Sequence, residues 1–185
     1  MLRGGAGPLI LTVPNAISAL RLVGVGFFVW LAFGRNQPAP AGWLLLAIGW
    51  TDWIDGYLAR RLDQVSDVGK VLDPLADRLA IATAVIGGTL VGVVPIVLGV
   101  GIALREVLVA VGALIVARRG SKIEVKWLGK LGTFILYGAI PAFYVSHGPF
   151  APTLFLVTGW VLGVAGLVLY WWVAVQYAGD LRAAK

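Results

Sequence analysis

Six stretches of roughly 20 apolar residues follow one another along the chain, and few folds can accommodate them. They run over Val13–Phe33, Gly42–Arg60, Val71–Val91, Pro95–Ala117, Leu128–Val145 and Pro152–Ala178. A soluble core in a chain of 185 residues cannot bury that much apolar surface, whereas a bilayer can. Only 13% of the side chains are charged, about half the roughly 25% of a soluble domain. In hydrocarbon, backbone polar groups must pair within their own segment, so each stretch is expected as a helix. The separators carry turn chemistry: Gly34-Arg35-Asn36-Gln37-Pro38, Val94-Pro95 and His147-Gly148-Pro149. No internal repeat is visible. The expectation is an all-α membrane protein with six transmembrane helices and one domain over 1–185. Residues 1–12 would form a cytoplasmic N-terminal segment and 13–178 the core.

Charge gives the orientation. Six spans put both termini on one side, together with Arg3, Arg60, Arg61, Lys70, Arg118, Arg119, Lys122, Lys126, Lys130, Arg182 and Lys185; the other side has only Arg35. Such an excess of cations marks the cytoplasmic side, so both termini and the loops after helices 2 and 4 are expected there. Within it, Arg118, Arg119 and Lys122 read as plain topology signals. The net charge of +6 then reflects anionic lipid headgroups rather than nucleic acid. Arg21 interrupts the first run and no small-residue cleavage site follows it, so that run is expected as a span and not a signal peptide. There are no cysteines and one histidine, His147, expected in a loop at the membrane surface. This excludes thiolate chemistry, a histidine triad and a zinc cluster. Trp43, Tyr170, Trp171, Trp172 and Tyr177 are expected as interfacial anchors, while Trp50, Trp53 and Trp160 lie deeper and need packing partners. Gly24, Gly26, Gly99, Gly101, Gly159 and Gly163 are expected at close helix contacts.

Against this background, acidic residues inside spans are costly and by default functional. Asp52 and Asp55 lie near the inner end of helix 2, and Asp73 and Asp77 near the start of helix 3. Spacings of three and four put each pair on one helical face, and consecutive antiparallel helices bring their inner ends together. Gly56 lies one turn from Asp52 and Arg60 one turn further toward the cytoplasm. Four carboxylates converging there cannot all stay charged without partners. Protons, arginines or divalent cations could each neutralise them. All-oxygen ligation favours Mg²⁺ or Mn²⁺, and two such ions could clamp a diphosphate. A proton or ion transporter is the competing class, but it should show repeated halves with broken helices near the midplane.

From Asp52 to Asp77 the chain reads D-W-I-D-G-Y-L-A-R-R-L-D-Q-V-S-D-V-G-K-V-L-D-P-L-A-D. It resembles the CDP-alcohol phosphotransferase family, whose signature D-x2-D-G-x2-A-R-x8-G-x3-D-x3-D it matches at every fixed position. Eight fixed residues at roughly 5% usage each coincide less than about once in 10¹⁰ starts. The resemblance implies an integral, multi-pass membrane enzyme with its active site facing the cytoplasm. Its partners would be membrane lipids, CDP-diacylglycerol and an alcohol acceptor, with no nucleic acid, and its state a homodimer. Asp52, Asp55 and Asp73 would be the principal metal ligands of two Mg²⁺ or Mn²⁺ ions. Asp77 would be the general base for the acceptor hydroxyl and could also touch a metal. Gly56, Ala59 and Gly69 would make room for the cytidine moiety, and Arg60 would steady the donor phosphates.

The segment Pro14-Asn15-Ala16-Ile17-Ser18-Ala19-Leu20-Arg21 resembles the branch that uses glycerol-type acceptors, as does Leu104-Arg105-Glu106-Val107-Leu108-Val109. Phosphatidylglycerophosphate synthases tend to read G-K-x-K-T near helix 5; here Gly129-Lys130-Leu131-Gly132-Thr133 lacks the second lysine. That departure resembles the cardiolipin synthases of the family, which use phosphatidylglycerol. Glycerol 3-phosphate is the next reading and inositol phosphate a further alternative. Arg21, Arg105, Lys126 and Lys130 are the candidates for the acceptor's phosphate. Glu106 points about 100° from Arg105 on a helix and need not pair with it. Arg78 follows Asp77 but faces elsewhere and is read as structural.

Overall fold

The computed structural model describes residues 13–62, 69–118 and 127–183; side chains are described for 19–51, 78–108, 110–112, 127, 128, 131, 132 and 134–176. The described chain is six long helices: α1 (Val13–Val29), α2 (Pro38–Leu62), α3 (Gly69–Leu90), α4 (Ile96–Arg118), α5 (Trp127–Val145) and α6 (Pro152–Ala183). No strand occurs among the described residues. The bounds follow the apolar runs with three differences, one being that α6 runs on past Ala178 to Ala183. α2 begins before its apolar run, because Pro38 fits the first helical turn, where its missing N–H costs nothing. α1 ends in a π-helical turn, Trp30–Gly34, which the apolar pattern does not announce. There Arg35 N–H donates to Trp30 O at 2.8 Å and Gln37 N–H to Leu31 O at 2.9 Å. Asn36 takes a left-handed φ of 51°, which its short polar side chain tolerates. Between α3 and α4 the chain turns at Gly92, φ 78°, with Val93 and Val94 N–H both donating to Gly88 O.

Packing defines a closed order. α1 packs on α2 and α3, α2 on α5, α5 on α6, α6 on α4, and α4 on α3. The helices therefore ring the axis as α1, α2, α5, α6, α4, α3, with α5 reaching across to α3. The inward stripes are Val25, Phe28 and Ala32 on α1; Ala41, Leu45 and Ile48 on α2; Ala80, Ala84 and Val85 on α3; Leu98 and Ile102 on α4; Leu136, Ile140 and Phe143 on α5. On α6 the stripe is Gly159, Gly163, Gly166, Tyr170 and Val173. Tyr144 ties four helices together. Its hydroxyl donates to Ala84 O on α3 at 2.8 Å, and its ring meets Phe28 of α1 edge-on at 5.3 Å. Gly42 lets α2 approach it: a Cβ there would sit 2.7 Å from Tyr144 Cβ and 2.8 Å from the Val145 nitrogen.

The expected glycine contacts hold with one exception. Gly24 meets Ile48, Gly99 Thr89, Gly101 Leu167, Gly159 Phe143 and Gly163 Leu98, but nothing lies within 4 Å of a Cβ on Gly26. Trp50 also differs from expectation. It is 68% exposed on the outer surface rather than packed inside. Trp160 does find a partner, meeting Phe143 edge-on at 5.8 Å. Trp53 and Tyr177 have side chains outside the described residues. Large apolar side chains face outward on every helix, from Val23 and Phe27 to Val168 and Trp172. Among the described residues one segment, Pro152–Gln176, is long and apolar enough to cross a membrane. Shorter apolar helical stretches are Ala19–Gly34, Arg78–Leu90 and Phe134–Val145.

Candidate active site

The inward stripes are apolar toward the turns that join α1 to α2 and α5 to α6. Toward the other end of the bundle they change character. On α1 the stripe of Ala32, Phe28 and Val25 continues at a spacing of four to Arg21, which is only 4% exposed. On α4, Leu98 and Ile102 continue at a spacing of three to Arg105, 7% exposed. These are the buried charged residues among the described ones.

α2 and α3 change in the same way. Leu45, Ile48 and Gly49 of α2 meet Ala80 and Ile81 of α3 and Tyr137, Ile140 and Pro141 of α5 around a cleft of about 50 Å³. One turn beyond that cleft on α2, the register reaches Asp52, then Asp55, Gly56 and Ala59. One turn back along α3 it reaches Asp77 and then Asp73. Both acidic pairs thus occupy helical positions that continue the facing stripes.

Helix register also sets their level. Gly24 faces Ile48 across antiparallel helices, so Arg21 is level with Thr51, next to Asp52. Gly87 faces Phe33 across parallel helices, and the same offset carries Arg21 to Leu75, between Asp73 and Asp77. Gly42 faces Val145, which makes Gly132 on α5 level with Asp55; Gly132 in turn abuts Leu169 and Tyr170 of α6. Arg105 stacks on Tyr170 and so shares that level, its Cζ lying 3.5 Å from the ring centroid. Two buried guanidiniums and two pairs of aspartate positions therefore lie in one layer of the bundle.

Arg105 meets Glu106, a pairing that helix geometry does not require: Nη1 donates to Oε1 at 3.3 Å. Neighbouring side chains point apart at Cα, but a guanidinium is long enough to fold back. Tyr170 corrects an expectation. It is not an interfacial anchor but a buried inward residue, whereas Trp172 is 61% exposed. Trp171 is part-buried, its Nε1–H donating to Gly101 O at 3.2 Å. The signal was present in the sequence: Gly159, Gly163, Gly166 and Tyr170 recur at spacings of four and three, a single helical stripe. Arg78 is exposed, as its place one residue past the inward stripe requires. His147 is exposed in the turn after α5, its Nδ1 2.9 Å from Phe143 O.

Several predicted residues lie partly or wholly outside this description. Asp52, Asp55, Gly56, Ala59 and Arg60 are on α2, and Gly69, Asp73 and Asp77 on α3, with side chains outside the described residues. Lys130 is on α5 in the same condition, and Lys126 is outside the described residues altogether. Among the described residues, no three His, Cys, Asp or Glu side chains form a metal-holding group.

Residues 11–174, most of the chain, match the family model for CDP-alcohol phosphatidyltransferase. The chain belongs to this family. It is 39% identical over 180 residues to a CMP-forming cardiolipin synthase of Streptomyces coelicolor, covering 94% of this chain and 84% of that one. It is 33% identical over 171 residues to a putative cardiolipin synthase of Mycobacterium tuberculosis, covering 91% and 82%. It is also 33% identical over 167 residues to the CDP-diacylglycerol–glycerol-3-phosphate 3-phosphatidyltransferase of Bacillus subtilis, covering 83% and 86%. As a CDP-alcohol phosphatidyltransferase, the chain is an enzyme of phospholipid biosynthesis that releases CMP.

Proposed function

We propose that this phosphatidyltransferase moves the phosphatidyl group of CDP-diacylglycerol onto phosphatidylglycerol, giving cardiolipin and CMP. One observation carries the reading. The inward faces of α2 and α3 continue into the two acidic pairs of the family signature, level with Arg21 and Arg105. The similarity to CMP-forming cardiolipin synthases and the missing second lysine after Lys130 support phosphatidylglycerol as acceptor.

The donor set fits divalent cations. Four carboxylates spaced three and four apart on facing helices offer only oxygen ligands, the preference of Mg²⁺ and Mn²⁺. Asp52, Asp55, Asp73 and Asp77 would hold them as a pair. When bound, the ions would offset the diphosphate's charge and the charge that develops on it in transfer. Gly56, Ala59 and Gly69 leave room for the cytidine, and Arg60 steadies the donor phosphates with a planar fork. Arg21, Arg105, Lys126 and Lys130 attract the acceptor's phosphate. Asp77 takes the proton of the acceptor hydroxyl. The hydroxyl oxygen bonds to the phosphorus that carries the diacylglycerol, the bond from that phosphorus to the CMP oxygen breaks, and its electron pair leaves with CMP.

The outward apolar side chains of all six helices support a multi-pass membrane protein, single-domain over 1–185. The eleven-to-one asymmetry of cations supports a cytoplasmic active site and cytoplasmic termini. A homodimer follows from the family resemblance.

The test is purified protein with CDP-diacylglycerol and Mg²⁺, offered phosphatidylglycerol, glycerol 3-phosphate and inositol phosphate separately. CMP release with cardiolipin in the first arm alone is expected, and chelation should abolish it until Mg²⁺ or Mn²⁺ is restored. CMP with glycerol 3-phosphate and none with phosphatidylglycerol would reassign the acceptor. No CMP with any acceptor would end the proposal.

A further inference from the structure

Tyr170 stands where an interfacial aromatic would be expected to face lipid, yet it is 4% exposed and the Cζ of a buried cation, Arg105, lies over its ring at 3.5 Å from the centroid. Its neighbour Trp172 does face outward. Two contacts of α6 with α4 fix the ring's place. Trp171 Nε1–H donates to Gly101 O at 3.2 Å, one turn from Arg105. Leu167 packs at 3.1 Å from where a Cβ on Gly101 would be. The Arg105 guanidinium therefore meets a surface held rigidly by the docking of two helices.

We propose that Tyr170 is a positioning residue, whose ring face orients the Arg105 guanidinium toward the phosphate of the glycerol-type acceptor. This rests on the reading of Arg105 as an acceptor-phosphate residue. A guanidinium stacked on a ring is held by its face, and none of its in-plane N–H donors is used in the stacking. The ring face therefore restricts the guanidinium plane without using its edge. Glu106 meets it differently. It touches a single nitrogen, Nη1, at 3.3 Å, and its own side chain is 47% exposed. One long contact to a half-exposed carboxylate does not set a plane. A ring face does restrict it, and it also offsets part of the cost of burying the charge. Arg105 shares its level with Asp55, so an anion held at its edge would lie in the layer where the phosphatidyl group is transferred.

The test compares Tyr170→Phe, which keeps the ring, with Tyr170→Leu and Tyr170→Met, which remove it. CMP release is followed against phosphatidylglycerol and, separately, glycerol 3-phosphate, to tell a lipid phosphodiester from a free phosphomonoester. The ring-less variants should raise the KM of the productive acceptor about tenfold, with kcat and the KM for CDP-diacylglycerol little changed. Tyr170→Phe should stay within about twofold of the unmodified enzyme. Three results would overturn the proposal: unchanged acceptor KM without the ring, equal rises in donor and acceptor KM, or a Phe variant as impaired as the Leu variant. Should both ring-less variants fail to purify as monodisperse protein while the Phe variant does, the ring is packing only and the proposal falls. Absence of CMP from the unmodified enzyme is a different result; it removes the assigned reaction itself.

Discussion

Tyr144 and Asp77 show how differently single residues matter in this bundle. Tyr144 is fully buried, and its hydroxyl is matched to one carbonyl, Ala84 O, in a region of apolar neighbours. Removing the hydroxyl leaves that carbonyl with one partner fewer in apolar surroundings. Tyr144→Phe should therefore lower stability by about 1 kcal/mol, read as thermal unfolding in detergent, with activity unchanged. Asp77 lies at the layer assigned to the reaction, where a carboxylate acts by accepting a proton. Asp77→Asn keeps shape and loses basicity, so CMP release should fall by about 10²–10⁴-fold while a CDP nucleotide still binds. Nucleotide binding lost together with the folded state would make Asp77 structural. The aspartates were legible in the sequence because a carboxylate in an apolar run needs a reason to be there. Tyr170 was legible only as the end of the α6 glycine stripe, since an aromatic near the end of a span otherwise has two equally good places, lipid interface or interior.

At the scale of helices, close approach decides the architecture. α2 and α5 come together at Gly42, where an added methyl would meet backbone at Val145, which cannot move aside as a side chain could. Gly42→Ala should cost about 1–3 kcal/mol through overpacking. Gly26→Ala should be neutral or stabilise by up to about 1 kcal/mol, since its site is open and alanine favours the helix. Thermal unfolding of the two variants side by side checks both, and an equal cost at the two sites would contradict the helix contacts described here. Both glycines lie inside apolar runs, so spacing alone could not separate them. The rotation of each helix relative to its neighbour did.

The described helices present apolar side chains outward, and the sequence places most of its cations in the segments away from the α1–α2 turn. Its lack of cysteine makes the orientation directly measurable. Gln37→Cys, in the turn between α1 and α2, and Lys185→Cys should react with a membrane-impermeant thiol reagent from opposite sides of sealed vesicles. Labelling of both from one side would contradict six crossings. The same outward surface explains Trp50, which needs no partner within the bundle if lipid covers it.

The sequence by itself determined the number of described helices, close positions for most of their ends, and the places of the acidic pairs on α2 and α3. Each of these is a local property: apolar run length, turn chemistry, and the cost of a charge in an apolar run. Tertiary structure alone decided that Arg21 and Arg105 share a level with those pairs, that Arg105 folds back to Glu106 while lying on Tyr170, and that Trp50 faces outward. Those facts depend on how far each helix is rotated and slid against the next. That is fixed by contacts between residues far apart in the chain, such as Gly42 with Tyr144, which no local pattern encodes.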